Sequence, residues 1–509
     1  MSAKDYTITI GIECHVQLKT KTKLFSEVDN DARNKEPNSC VSPVDYALPG
    51  MLPRLNKEAV NLAIRAGYAL NAEINLYSRF DRKHYYYPDL PKGYQISQFY
   101  HPIIGAGFIE LPSGTKVRIE HAHMEEDAGK LTHFSNYSLV DLNRAGTPLI
   151  EIVSMPDIHS AADARDYCKE LWRAMTYAGV TYGDLYNGNM RFDVNISLAL
   201  PGEPLGKRAE IKNLNSFRSV ERAVEYEYER QSKILDAGET VKQETRGWND
   251  NTGKTTSQRS KEEAQDYRYM PEPDIPPIRL TAEYVEKEQE NIPLLPRDYR
   301  QIFKDVLPDD TLEVLLDYQP LMECLCQCVD SSFEGGTERG SASSSAARPW
   351  RRAGPTRPEK ELSSTGIKCV KRIANLFASV LLAEEKSYEM LNNLPSAKQL
   401  SDLCEMADQK ELSSTGVKEV FMKFFDPQMK TKSARDIAKE LDVIQENDEG
   451  ALEQIVDQVL QDPASAKAIS DYKSGQEKVL GFLVGQVMKA SKGKANPGAA
   501  SQILKAKLK

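Results

Sequence analysis

Residues Thr7–Leu18 read TITIGIECHVQL, and a period of two runs through the stretch. Ile8, Ile10, Ile12, Cys14, Val16 and Leu18 fall on one side, and Thr7, Thr9, Gly11, Glu13, His15 and Gln17 on the other. Wound into a helix, those apolar residues would scatter around its axis. As a strand they form one face, with a core beneath it and a cleft or solvent above. The pattern recurs in Arg191–Leu198 (RFDVNISL), where Phe192, Val194, Ile196 and Leu198 alternate with Arg191, Asp193, Asn195 and Ser197. In Leu149–Val153 (LIEIV), Glu151 shares a side with Leu149 and Val153. Each of these β-prone segments offers a carboxylate, and His121–Lys130 (HAHMEEDAGK) adds Glu125, Glu126 and Asp127.

A chain of 509 residues exceeds what one core usually holds, so several domains are expected. No apolar run approaches the ~20 residues that cross a bilayer, so membrane insertion is not expected. The net charge of −9 excludes indiscriminate nucleic-acid binding by the whole surface but allows local basic patches. The eight cysteines are scattered apart from Cys324, Cys326 and Cys328, which points to a reducing compartment rather than a disulfide framework. The opening MSAKDYTITI has neither an apolar signal core nor an Arg- and Ser-rich presequence.

Along the chain, Ser26–Pro53 reads as a long loop, and Asn56 caps a helix through Leu70 with Val60, Ala63 and Ile64 inward. Phe80–Gln98 (FDRKHYYYPDLPKGYQISQ) crowds tyrosines, cations and prolines into a shaped loop. Such a loop suits a nucleotide or an RNA terminus, or packs its tyrosines on the core. Ser160, three residues before Asp163, opens a helix that stops at Gly179. Another helix starts at Ser216, carries Phe217, Val220, Val224 and Tyr228, and ends at Gly238. Strands interleaved with helices make residues 1–290 an α+β domain built on a mixed or antiparallel β-sheet with flanking helices.

From Leu280 onward Glu, Leu, Lys and Ala dominate, and the remainder reads as all-α: a connector over 291–323, a helical domain over 361–440 and a tail over 441–509. Residues 324–360 interrupt it. This Ser/Gly/Arg/Pro-rich stretch has almost nothing to bury, so a disordered insertion is expected, and its C-x-C-x-C does not have zinc-finger spacing. KELSSTG at 360–366 and 410–416 is too short to be a solenoid repeat. The tail ends with Lys489, Lys492, Lys494, Lys505, Lys507 and Lys509, either a solvated face or a grip on a phosphate backbone.

Hard cations such as Mg²⁺ take oxygen ligands and are commonly held by one or two carboxylates plus substrate phosphates. Glu13, Glu125, Glu151 and Asp193 would serve, with His15 as a further ligand or an orienting group. Lys83, Lys92, Lys130, Arg144 and Arg191 would neutralise charge on a transferred phosphoryl group. Any one strand Glu is most often a solvated edge residue, so the reading depends on convergence. No G-x-x-x-x-G-K-[ST] or G-x-G-x-x-G occurs, so an ATP site needs another architecture. Paired-carboxylate glycoside hydrolysis is disfavoured, because adjacent Glu125, Glu126 and Asp127 point to opposite faces of a strand. No G-x-S-x-G supports a serine nucleophile, and Cys14 points to the core.

GIECHVQL, FDRKHYYYPDLPKGYQISQ, HMEEDAGK, DLNRAGTPLIEIVS, RFDVNISL, EIKNLNSFRSVERAVEYEYERQ and SKEEAQDYRYMPEPDIPP resemble, in order, the signatures of one family. It is the B subunit of the aspartyl/glutamyl-tRNA amidotransferase. The likeness covers about 5–280 and resumes from about 366, where DEGALEQIV and DYKSGQEKVLGFLVGQVMKASKGKANP are similar to the family's tail. It implies a cradle-shaped catalytic domain and YqeY-like helical and tail modules that contact tRNA. It also implies ATP- and Mg²⁺-dependent phosphorylation of the γ-carboxylate of Glu misacylated on tRNA(Gln). Ammonia released by an amidase A subunit then displaces phosphate, and a small C subunit ties the others together. The family's metal-binding carboxylates and histidine land on Glu13, His15, Glu125, Glu151 and Asp193. Many bacterial members carry a four-cysteine zinc site, whose positions here read Ser26, Val28, Ser42 and Asp45. No zinc is therefore expected, and the loss is similar to organellar members. The mitochondrial matrix is the expected setting, with the cytoplasm as alternative. Two other readings stay open: a non-catalytic tRNA-binding scaffold, and a freestanding ligase that activates a small amino acid.

Overall fold

The computed structural model describes residues 5–260, 266–333, 364–445, 449–474, 476–491, 495 and 497–508. It divides into two compact units, Met1–Pro296 and Arg297–Lys509.

The first unit is organised by one mixed sheet. Its middle is β1 (Thr7–Gln17), flanked by β9 (Pro148–Ser154) and β10 (Met190–Ala199), both antiparallel to it. Beyond β9 lie β6 (Lys116–Glu126) and the edge strand β5 (Gly107–Glu110). Beyond β10 lie β11 (Ala209–Leu214), β12 (Glu244–Asn249) and β13 (Lys254–Ser260). Only the β11–β12 pairing is parallel, as its helical crossover requires. Shorter strands stand outside it: β2 (Tyr77–Ser78) with β15 (Ile278–Arg279), β3 (Asp81–His84) with β4 (Tyr94–Ser97) and β14 (Met270–Pro271), and β7 (Lys130–His133) with β8 (Ser138–Asp141).

The two faces follow the alternation in the sequence. Ile10, Ile12, Cys14, Val16, Ile152, Val194 and Ile196 are buried on the face covered by α2 (Ala161–Tyr177) and α3 (Phe217–Asp236). There Phe217 packs against Phe192 at 6.2 Å and Trp172 at 6.0 Å between ring centres. Burying each such side chain contributes roughly 1.5–3 kcal/mol, so this face fixes the register. Local signals set the helix ends as expected. Asn56 caps α1 (Lys57–Ala69), Ser160 accepts from the Asp163 amide and Ser216 from that of Ser219. Gly179 follows α2 with φ +69°, a conformation that other residues adopt only with strain. The unit closes with α4 (Ala282–Gln289), whose Tyr284 hydroxyl donates to Asn61 on α1.

In the second unit the described residues form α5 (Pro296–Phe303), α6 (Asp309–Leu315), α7 (Gln319–Phe333), α8 (Ser364–Leu376), α9 (Ser387–Leu391), α10 (Ala397–Asp408), α11 (Ser414–Lys423) and α12 (Ala434–Glu440). The tail adds α13 (Glu449–Gln461), α14 (Ala466–Lys473), α15 (Leu480–Ala490) and α16 (Pro497–Leu508), with a core that includes Leu452, Val456, Leu483, Val487 and Leu504. The expected start of the disordered insertion at Cys324 is corrected. Cys324, Cys326 and Cys328 are buried within α7, because Leu321, Met322, Leu325 and Val329 beside them repeat at helical spacing. The expectation for 334–360, and the tail's Lys492, Lys494 and Lys509, fall outside the described residues. The second KELSSTG supplies a helix cap, Ser413 accepting from the Gly416 amide of α11.

Candidate active site

On the other face of the sheet the strand register lines polar side chains into a row. Arg191 stands opposite His15, His15 opposite Glu151, and Glu151 opposite His123, crossing β10, β1, β9 and β6. His15 Nε2 lies 3.6 Å from both Glu125 Oε1 and Glu151 Oε2, and His123 Nε2 lies 3.7 Å from Glu125 Oε2 and 3.4 Å from Glu151 Oε2. Two carboxylates and two imidazoles thus share one pocket, and His15, Glu125 and Glu151 can each aim a ligand atom at one point.

Charge sharing tunes these groups. Burial alone would push the His123 imidazole down, but Glu125 and Glu151 outweigh it and lift it to about 9. His15 is lifted in the same way, against its own burial. Burial would raise the Glu151 carboxyl, and the two imidazoles hold it well below the usual range instead.

A second acidic group lies about 6.6 Å along β1, two residues on. Glu13 faces Asp193 across β1 and β10, and Glu210 joins them. Burial and the neighbouring Glu151, Glu210 and Asp193 raise the Glu13 carboxyl, while Asn195 donates to it at 3.0 Å. Lys212 Nζ sits 3.0 Å from Asp193 and 3.1 Å from Glu210. The sequence set Glu13, His15, Glu125, Glu151 and Asp193 is therefore gathered on one face but divided between two groups.

The two groups differ in their fit to a divalent cation. The Glu13 group already holds an ammonium. In the His15 group Glu125 Oε2 and His123 Nδ1 are buried without a hydrogen-bond partner. Such atoms are costly unless something else engages them. The imidazole and carboxylate donors there suit a hard or borderline cation.

The expected phosphate-binding cations are dispersed. Lys83, on β3, approaches the His15 group and feels Glu125 and Glu151, which raise it against its burial, and it lies 5.0 Å from the Tyr267 ring centre. Arg191 lies in the row and contacts Asp127 at 3.0 Å. Arg144 is 3.3 Å from Asp127 and donates to the Ala128 and Gly129 carbonyls. Lys92 is committed to Glu126, which points away from Glu125 and also accepts from the Ile96 amide at 3.0 Å. Lys130 is exposed on the separate β7–β8 ribbon.

Sequence reasoning missed His123, Glu210, Lys212, Lys207 and Arg208. His123 was readable, being two residues before Glu125 on the same strand. Glu210 and Lys212 alternate with buried Ile211 in AEIKNL, a shorter signal. Lys207 and Arg208 line a cavity of about 510 Å³ that opens beside Glu13, with Thr9, Asn195, Ser197 and Gln243 among its walls.

Of the four positions compared with a cysteine pattern, three meet in one network. Lys23 Nζ lies 3.1 Å from Asp45 Oδ2, both groups buried, and Asp45 also accepts from the Ser42 amide and the Ser26 hydroxyl. Val28 accepts from the Lys23 amide through its backbone carbonyl.

Strands that deliver carboxylates and imidazoles to one face of a mixed sheet, followed by a helical unit, define a catalytic domain with an appended helical module. Residues 8–286 match the family model described as the GatB/GatE catalytic domain, and residues 361–508 that described as the GatB domain. A protein of Persephonella marina, named as the B subunit of an aspartyl/glutamyl-tRNA(Asn/Gln) amidotransferase, is 42% identical, covering 99% of this chain and 100% of its own. Proteins of the same name from Thermotoga maritima, 40% identical over 98% of both chains, and Elusimicrobium minutum, 42% identical over 97% of both, are also similar. The chain belongs to the GatB family.

Proposed function

We propose that this chain is the component of a tRNA-dependent amidotransferase that activates the carboxylate of Glu on misacylated tRNA(Gln) with ATP and delivers it to ammonia. The observation that carries the reading is the convergence of His15, Glu125 and Glu151 in a chain similar to amidotransferase B subunits over nearly its whole length.

A free carboxylate is a poor electrophile, and phosphorylation supplies a leaving group. The γ-carboxylate oxygen attacks the terminal phosphorus of ATP and ADP departs. Ammonia then attacks the acyl carbon, inorganic phosphate leaves, and the amide forms. His15, Glu125 and Glu151 would hold Mg²⁺, with Glu13 and Asp193 alongside. Held there, Mg²⁺ would supply charge that offsets the phosphate oxygens. Lys83 and Arg191 bring positive charge to the phosphoryl group, and Glu151 and Glu125 keep the imidazoles oriented. The cavity beside Glu13 accepts the nucleotide, and Lys207 and Arg208 offer cations at its wall. Lys92 and Arg144 act by shaping the neighbouring loops.

The partners in this reading are an amidase A subunit that supplies ammonia and a small C subunit, in a heterotrimer. The setting is the mitochondrial matrix, with the cytoplasm as alternative. Asp45, one of the four positions compared with the cysteine pattern, is held by the Lys23 ammonium, which supports function without zinc.

Reconstitution with A and C subunits and Glu-tRNA(Gln) tests the proposal: ATP-dependent formation of Gln-tRNA(Gln) is expected. Glutamine hydrolysis by the A subunit without any such product would overturn it.

A further inference from the structure

A run of aromatic rings leads from the surface to the His15 group. Phe99 and Tyr100 are 55% and 53% exposed. Both their amides donate to one oxygen of the fully buried Asp81 at 3.0 Å, which fixes the backbone that carries the rings. Phe99 stacks on Tyr269 at 4.1 Å with an interplanar angle of 15°, and Tyr269 meets Tyr267 edge-on at 6.2 Å. The inner end is tied to the acidic group through Lys83, whose Nζ lies 5.0 Å from the Tyr267 ring centre and which feels Glu125 and Glu151. Arg268, between the two tyrosines, is exposed, and its amide donates to Asp266 Oδ1 at 3.1 Å.

Flat rings beside cations are what unpaired nucleobases require, since every base has a π-face and stacking needs no particular sequence. The cavity of about 510 Å³ beside Glu13 lies further along β1 from the His15 group. We propose that Phe99, Tyr100 and Tyr269 are the stacking platform for the unpaired 3′-terminal bases of the aminoacylated RNA, placing the ester-linked side chain among His15, Glu125 and Glu151. The inference rests on the amidotransferase reading and assigns its RNA terminus.

The test uses the full chain assembled with its A and C partners and compares uncharged tRNA with the same tRNA lacking its last two nucleotides. Stacking by alanine substitution implies roughly a 5- to 150-fold effect per base. Trimming should weaken binding to the wild-type complex by at least about fivefold. The F99L/Y100L complex should bind intact tRNA as weakly as trimmed tRNA, with no further loss on trimming and an unchanged KM for ATP. Phe99→Trp, which keeps a ring, should retain the preference for the intact end. Equal trimming penalties in wild type and F99L/Y100L would overturn the platform, as would a raised KM for ATP with RNA binding intact. A wild-type complex that makes no Gln-tRNA would instead overturn the functional reading, and the binding comparison would still stand.

Discussion

Glu151→Gln offers the sharpest view of the site, because Glu151 lies between two imidazoles at 3.6 and 3.4 Å. His123 is lifted from 6.5 to about 9. At 1.36 kcal/mol per unit, that shift is worth on the order of 3 kcal/mol. Glu125 and Glu151 both engage His123 against its burial, and burial persists when one charge is removed, so the variant should lose more than half of this lift and titrate well below the wild type. The folded pKa lies above the unfolded one. The stabilisation is therefore fully present below about pH 6.5 and lost as the pH rises through about 9. Selective ¹³C labelling of the seven histidines and an NMR titration in chelator follow His123 directly. A parallel denaturation series from pH 6 to pH 9.5 should show the stability loss reduced by more than half in the variant. A wild-type His123 titrating near its ordinary value, or an identical one in Glu151→Gln, would refute the reasoning. Because a ligating imidazole must shed its proton, Mg²⁺ affinity of the wild type should also rise with pH over this window.

Asp45→Ala strands the Lys23 ammonium in the interior and should cost about 3–5 kcal/mol in chemical denaturation, whereas K23M/D45L should recover most of it. Asp193→Asn and Glu125→Ala should each abolish ATP-dependent Gln-tRNA formation while glutamine hydrolysis by the partner stays measurable. Full transamidation by Glu125→Ala would favour a scaffold. Lys212→Met should free the Glu13, Asp193 and Glu210 carboxylates for an additional divalent ion, read as higher Mn²⁺ stoichiometry in EPR titration. An unchanged count would show that Lys212 does not close that group. Elemental analysis should find no stoichiometric zinc, and one zinc per chain would contradict the reading of Ser26, Ser42 and Asp45.

β1 and β10 were legible because polar and apolar residues alternate along them, whereas β6 is buried throughout from Ala122 to Glu126. The alternation put Glu13, His15 and Asp193 on the polar side, whereas Glu151 shares a side with Leu149 and Val153, and the family likeness singled out Glu125 from the acidic trio. What the period could not convey is the register between strands, which divides them into two groups and brings in His123 and Glu210. The cations were read less well, because Lys92 and Lys130 sit on loops and short ribbons whose partners are set by tertiary contacts. Lys92 met Glu126, the one carboxylate of the acidic trio that faces away from Glu125. In the second unit, Cys324–Cys328 was grouped with the low-complexity residues that follow it, although its aliphatic neighbours already had helical spacing.

Parity along β1 has a practical consequence for variation. Even-numbered positions from Ile10 to Val16 face the helices, so changes there will be tolerated or rejected on volume. Odd-numbered positions from Glu13 to Gln17 face the pocket, so there charge and proton affinity will decide. A single-residue insertion anywhere between them would swap the two rules at once. This strand should therefore drift by substitution while its length stays fixed.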